Sequence, residues 1–282
     1  MGTQLSRTAQ SPDGWLCATC GWEYAPGPVP EQCRICVDER QYVPTGGQLW
    51  TTLAELARDG ARVEVVEVEP DLWGLQVPDF GIGQTGLLVR TPEGNLLFDV
   101  PGFIDDGAVA RVRELGGIAH IVASHPHMYG VQSRWSAAFD DAPIWVAAAD
   151  QEWLGHRPAA VRTWSERFEV LPGIVLDQIG GHFVGSTIAH WRDGAQGRGV
   201  LLAGDAIFPT PDGMVTFLRS YPNRIPMSAA VVRRLAEHAS RYEFDSLYNN
   251  FGSRAGPGAP DIVRRSAQRY AAWVSGDNDH LT

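Results

Sequence analysis

Short apolar runs broken by turn residues dominate the chain beyond residue 60. They follow two periods. Arg62-Val-Glu-Val-Val-Glu-Val-Glu69 is rich in β-branched residues that alternate with acids and reads as a strand. Residues 86–91 and 95–99 flank Pro92-Glu-Gly94 and predict a hairpin, and 118–123 and 144–148 read as buried strands. Further short strands are predicted over 168–171, 175–179, 187–191, 200–203 and 246–249. Helical spacing marks 106–115, 131–139, 226–242 and 260–274, with a shorter helix over 50–59. Many short strands followed by helices predict stacked sheets with helices outside, without specifying one fold.

The front of the chain follows a different rule. All four cysteines fall between positions 17 and 36, as Cys17-Ala-Thr-Cys20 and Cys33-Arg-Ile-Cys36. Two Cys-x-x-Cys knuckles supply four soft ligands that can close a tetrahedron, and Gly21 gives the first knuckle its backbone freedom. Pro26, Gly27, Pro28 and Pro30 make the intervening segment a loop. The module resembles a rubredoxin-like zinc ribbon. Zinc is the expected metal in a structural role, and iron, which accepts the same four thiolates, is the alternative. The module is expected to occupy residues 1–45 and a larger domain residues 46–282.

Metal-ligand residue types recur in the larger domain, each where a predicted strand ends. His125 and His127 flank Pro126; His182 follows Gly180-Gly181; Asp205 follows Leu201-Leu-Ala-Gly204. His-x-His, then Gly-Gly-His, then Gly-Asp resembles the metallo-β-lactamase (MBL) superfamily. The resemblance implies an α/β fold, an αββα sandwich with its metals at one edge. It also implies that His125, His127 and His182 hold a first metal, with Asp205 shared with a second. His120, His156, His190, His238 and His280 read as structural.

The chain departs from the family pattern where the second metal would bind. The family continues His-x-His-x-Asp-His, and here those last positions are Tyr129 and Gly130. The family's final histidine is also missing: Leu247-Tyr-Asn-Asn-Phe-Gly252 offers only Asn250 as a weak oxygen donor. A single metal is therefore expected, zinc first and iron as the alternative. It would be held by His125, His127 and His182, with Asp205 completing the coordination or accepting a hydrogen bond from water. Tyr129 is expected to donate to a substrate oxygen. Asp99 is expected to brace the metal loop, and Arg219, Tyr221, Asn223 and Arg224 are candidate substrate contacts.

Composition narrows the partners. Hydrophobic residues make up 44% and charged residues 20% of 282 positions, ordinary for a globular protein. A net charge of −10 disfavours nucleic acid and anionic membrane. No apolar run could span a bilayer, and the polar stretch 1–13 lacks the core of a secretory signal. The expectation is a cytoplasmic protein with a small-molecule substrate. A mononuclear hydrolase of small esters, thioesters or lactones leads. A non-catalytic metal-binding protein and a redox module with iron on the cysteines are the alternatives.

Overall fold

The computed structural model describes residues 9–282, so the 1–13 stretch lies outside the described residues as far as residue 8. Among the described residues the larger domain contains two principal sheets. The first has seven strands, in the spatial order Val161–Trp164, Ile144–Ala147, His120–Val122, Leu96–Phe98, Thr85–Val89, Leu72–Gln76 and Glu64–Glu69. The second has six: Arg167–Leu171, Ile174–Gln178, Thr187–Trp191, Val200–Leu202, Ser246–Tyr248 and Arg254–Ala255.

Side-chain parity explains the layering. Successive strand residues face opposite sides of a sheet, so a fully apolar strand has both faces buried. Leu87, Val89, Leu96 and Phe98 share one core with Leu176, Trp191 and Leu202 of the second sheet. Their neighbours Leu88 and Leu97 face the other way, joining Val112 and Trp135 of the helices Asp106–Glu114 and Gln132–Ala138. On the far side, Leu201 and Leu247 pack against Val232, Leu235 and Val263 of the helices Ala229–Ala239 and Ala259–Val274. The result is the αββα sandwich that the motifs implied.

Sequence and structure differ at identifiable points. Leu72–Gln76 and Val161–Trp164 are strands that the pattern did not predict. Gly74 interrupts the alternation of the first, where it packs beside Thr85 of the adjoining strand. The helix expected from 226 starts at Ala229 because Ser228 caps it and Ile225–Pro226 pairs in a hairpin. Trp50–Thr51 is a strand, and Thr52 opens the following helix through a capping box with Glu55.

That short strand belongs to the cysteine module. Trp15–Cys17 pairs antiparallel with Glu23–Tyr24 on one side and Trp50–Thr51 on the other, so the module's sheet continues past the boundary expected at residue 45. Its core is continuous with that of the sandwich. Trp22, 1% exposed, stacks on Tyr129 with ring centroids 6.5 Å apart. The Glu23 carboxylate accepts from the Ser133 amide at 2.8 Å and the Ser133 hydroxyl at 2.6 Å.

Burial pushes the Glu23 carboxyl up from its ordinary 4.5 to about 7, against the opposing effect of the Ser133 hydrogen bonds. A raised folded-state value means that the native state holds a proton which the unfolded chain has released. The Glu23 contribution is therefore complete below pH 4.5 and is lost as pH rises through about 7. The loss is on the order of 3 kcal/mol. Denaturant unfolding of wild type and Glu23→Gln between pH 5 and 7.5 should show a shallower decline in the variant. Parallel declines would count against a buried, protonated Glu23.

Candidate metal centre

Four strands deliver the site residues to one edge of the sandwich. Phe98 and Val122 are partners in a parallel pair, as are Leu202 and Tyr248 in the other sheet. The loops that follow carry Asp99, His125 and His127, Asp205, and Asn249 with Asn250. The Thr187 amide donates to the Ser124 carbonyl at 2.8 Å, which joins the sheets beside the His182 turn. Gly204 sits at φ +51 where a Cβ would collide with Ser124 Oγ, so the Asp205 loop approaches the His125 loop only with glycine there.

His125, His127, His182 and Asp205 are all buried, with one potential ligand atom of each lying within 4.8 Å of the others. His182 Nε2 is 3.3 Å from His127 Nδ1, and Asp205 Oδ2 is 3.4 Å from His125 Nε2 and 3.6 Å from His182 Nε2. Ligands about 2.1 Å from a tetrahedral metal would stand about 3.4 Å apart. His125 Nε2 and Asp205 Oδ1 are buried without hydrogen-bond partners. A cation among the four would satisfy His125 Nε2, which the protein leaves bare.

The surroundings fix which nitrogens face inward. His182 Nδ1 is 3.1 Å from the Leu218 carbonyl, which can only accept, so Nδ1 carries the proton and Nε2 is a lone pair. Ser124 Oγ donates to Asp99 Oδ2 at 3.1 Å and lies 2.8 Å from His125 Nδ1, which sets the same tautomer there. Asp99 thus braces the loop through Ser124, whose amide also donates to it at 2.6 Å. Burial raises Asp99 to about 7 despite the nearby His125 ring and those bonds.

Burial also drives His182 down to about 3 and His127 well below the ordinary imidazole range. Neutral imidazole is the form that binds metal. Burial would raise the Asp205 carboxyl, but the His125 and His182 rings together hold it below the usual carboxylate range.

The four cysteines form a second group. They are free thiols, 0–2% exposed, with Cys17 Sγ 3.6 Å from Cys36 Sγ and Cys20 Sγ 3.6 Å from Cys33 Sγ. Thiolates on tetrahedral zinc stand about 3.8 Å apart. Hydrogen bonding, first from Cys20, holds Cys17 low, while burial pushes Cys20 up. Four thiols packed this closely can all ionise only around a cation. Gln48 Nε2 donates to Cys17 Sγ at 3.2 Å.

Other expected residues serve different ends. The Tyr129 hydroxyl donates to the Asp150 carbonyl at 3.1 Å and its ring is 2% exposed under Trp22, so it is not free for a substrate. Gly130, at φ +48, admits no Cβ because the Val100 and Pro101 carbonyls lie against it, and its own carbonyl accepts from Glu23 at 3.3 Å. These positions seat the cysteine module instead of a second metal. Arg219 pairs with Glu39 at 2.5 Å, and Asn223 donates to the Glu39 and Gln41 carbonyls at 2.9 and 2.8 Å. Both contacts tie the modules together. Tyr221 donates to the Asp205 carbonyl at 2.9 Å and lines a cleft of about 400 Å³. Arg224 is exposed on a turn at φ 55 and lines none of the clefts described. Asn250 is fully buried with both amide atoms unpaired.

Nothing in the residue pattern singles out Arg40. Only 7% exposed, it pairs with Asp38 at 2.5 Å, donates to the His182 carbonyl at 3.3 Å and covers the Phe183 ring at 3.6 Å. The adjoining cleft opens between the modules and is lined by His182 and Asp205 from the ligand group.

Solved metallo-β-lactamases share this architecture. DIM-1 superposes with a TM-score of 0.57 at 15% identity, covering 74% of this chain and 99% of that one. The mono-zinc form of FIM-1 from Pseudomonas aeruginosa gives 0.54 at 17% identity, covering 74% and 96%. The protein has the metallo-β-lactamase fold. No protein-family model matches the sequence. The uncharacterized protein YmaE of Bacillus subtilis (strain 168) is 37% identical over 271 residues, spanning 94% of this chain and 98% of its own length. The chain belongs to the family of YmaE.

Two substitutions separate the centre from its surroundings. Asp99→Asn should weaken metal retention at the histidine group about 10- to 100-fold in chelator competition while leaving the cysteine-bound metal in place. Tyr129→Phe should leave metal content unchanged and cost about 1 kcal/mol in denaturant unfolding. Loss of metal in Tyr129→Phe would return that phenol to the site.

Proposed function

We propose that the chain is a metal-dependent hydrolase that uses one metal, held by His125, His127, His182 and Asp205, to cleave a small ester, thioester or lactone. The observation that carries this reading is the convergence of four buried ligand-type side chains, with His125 Nε2 bare of any partner, on a point bordering an open cleft. When bound, the metal supplies acidified water and a Lewis acid for a carbonyl. His127 and His182, kept neutral by burial, would hold it together with His125. Asp205 keeps Oδ1 unpaired, placed to take a hydrogen bond or a proton from the attacking water. Asn250 has an unpaired amide beside Asp205 and can orient that water. Asp99 and Ser124 hold the His125 ring.

In the same reading the cysteine group is a rubredoxin-like zinc ribbon with a structural role. It forms one domain, expected over 1–45 and extended by its third strand to Thr51, and the sandwich forms the other. Metal-bound thiolates suit the cytoplasmic location expected from the sequence. Iron there would give a red preparation and favour a redox role. A non-catalytic metal-binding protein is the second reading, favoured by Tyr129, whose hydroxyl is committed to Asp150.

Elemental analysis and a panel of aryl esters, thioesters and lactones test the proposal together. Wild type should hold two metals per chain, and His125→Ala and His182→Ala should each retain one, the cysteine-bound metal. Ester turnover should fall more than about a hundredfold in both variants. Two metals without turnover on any member of the panel would favour the binding reading.

A further inference from the structure

Among the described residues, four larger grooves of about 610, 420, 620 and 430 Å³ contain no member of either ligand group. The smaller cleft beside His182 and Asp205 has walls of two origins. The sandwich contributes Ile82, Phe208, Tyr221 and Phe251, with the Phe208 ring centroid 4.5 Å from Tyr221 and 5.8 Å from Phe251. The cysteine module contributes Thr19, from inside the first knuckle, and Arg40, Gln41 and Tyr42, which follow the second.

Charge in this cleft is already committed. All three guanidinium nitrogens of Arg40 are engaged: Nε and Nη2 with Asp38 at 2.5 and 2.9 Å, and Nη1 with the His182 carbonyl at 3.3 Å. Asp205 faces the imidazoles. The polar lining groups left for a ligand body are the neutral side chains of Thr19, Gln41 and Tyr42. A charged body entering here would lose hydration with no free partner to replace it. Its anionic forms would also meet a chain of net charge −10. Aromatic walls around about 400 Å³ suit one flat ring or a short acyl chain.

We propose that this cleft binds an uncharged substrate with a flat apolar body, its carbonyl directed to the His182–Asp205 edge, and that the cysteine module is the wall that selects the body. The proposal rests on the histidine group being the hydrolytic metal centre. Tyr42 is 50% exposed and forms the outer part of that wall. Its substitution removes contact with the ligand without opening the core. The cysteine module thereby contributes to recognition as well as to stability.

Three hydroxamic acids with a common head and different bodies test this by calorimetry on the zinc-loaded full chain. Benzohydroxamic acid should bind at least about tenfold more tightly than acetohydroxamic acid or 4-carboxybenzohydroxamic acid. Tyr42→Ala and Phe251→Ala should erase most of that advantage, leave acetohydroxamate affinity unchanged and keep both metals. The proposal is overturned if the carboxylated probe binds as tightly as benzohydroxamate, if neither substitution alters the preference, or if no probe binds. The predicted preference without ester turnover would sink the hydrolase reading and leave the cleft assignment standing; turnover without a body preference would do the reverse.

Discussion

The Arg40 guanidinium, buried between the two modules, ties the ligand loops to the rest of the molecule. A cation in that position is tolerated because Asp38 neutralises it, the His182 carbonyl accepts from it, and the Phe183 ring receives its face. Removing Asp38 would leave that buried charge unpaired. His182 therefore depends for its position on a residue in the segment that follows the fourth cysteine. Ser220, whose hydroxyl donates to the Arg40 carbonyl at 3.0 Å, fastens the same segment from the other side.

This docking accounts for the departures from the MBL pattern. A second metal would need donors at the positions of Tyr129 and Gly130. Those residues are covered by Trp22 and Glu23, and a carboxylate or imidazole at 130 would clash with the Val100 and Pro101 carbonyls. One surface cannot both seat the cysteine module and coordinate a second ion. The present chain commits this surface to the module, and the first group of candidate ligands is left intact beside it.

The histidine group is held by secure but indirect means. Strand ends fix the backbone, and hydrogen bonds donated to the Leu218 carbonyl and to the Ser124 hydroxyl, which itself donates to Asp99, fix the ring tautomers. Burial keeps His127 and His182 neutral. The burial costs stability in the metal-free protein, through unpaired polar atoms on His125, Asp205 and Asn250. Such a cost is what a site prepared for an ion and a polar ligand carries.

Much of this was legible in the chain itself. Apolar runs in strands such as 86–91 and 95–99 require two buried faces, and that local constraint alone points to a layered sandwich. Cys-x-x-Cys spacing and the His-x-His, Gly-Gly-His and Gly-Asp order mark residues that the fold brings into two clusters. Ligand chemistry is local, so its residue types show in sequence. Contacts between distant segments are not. Nothing near Arg40 announces His182, nothing near Glu23 announces Ser133, and Tyr129 reads as a free phenol until Trp22 covers it and Asp150 accepts from it. The sequence by itself determined the layers and marked the candidate ligands. Tertiary structure alone decided which face the cysteine module covers, because that depends on side chains converging from far apart in the chain, for which no short-range pattern exists.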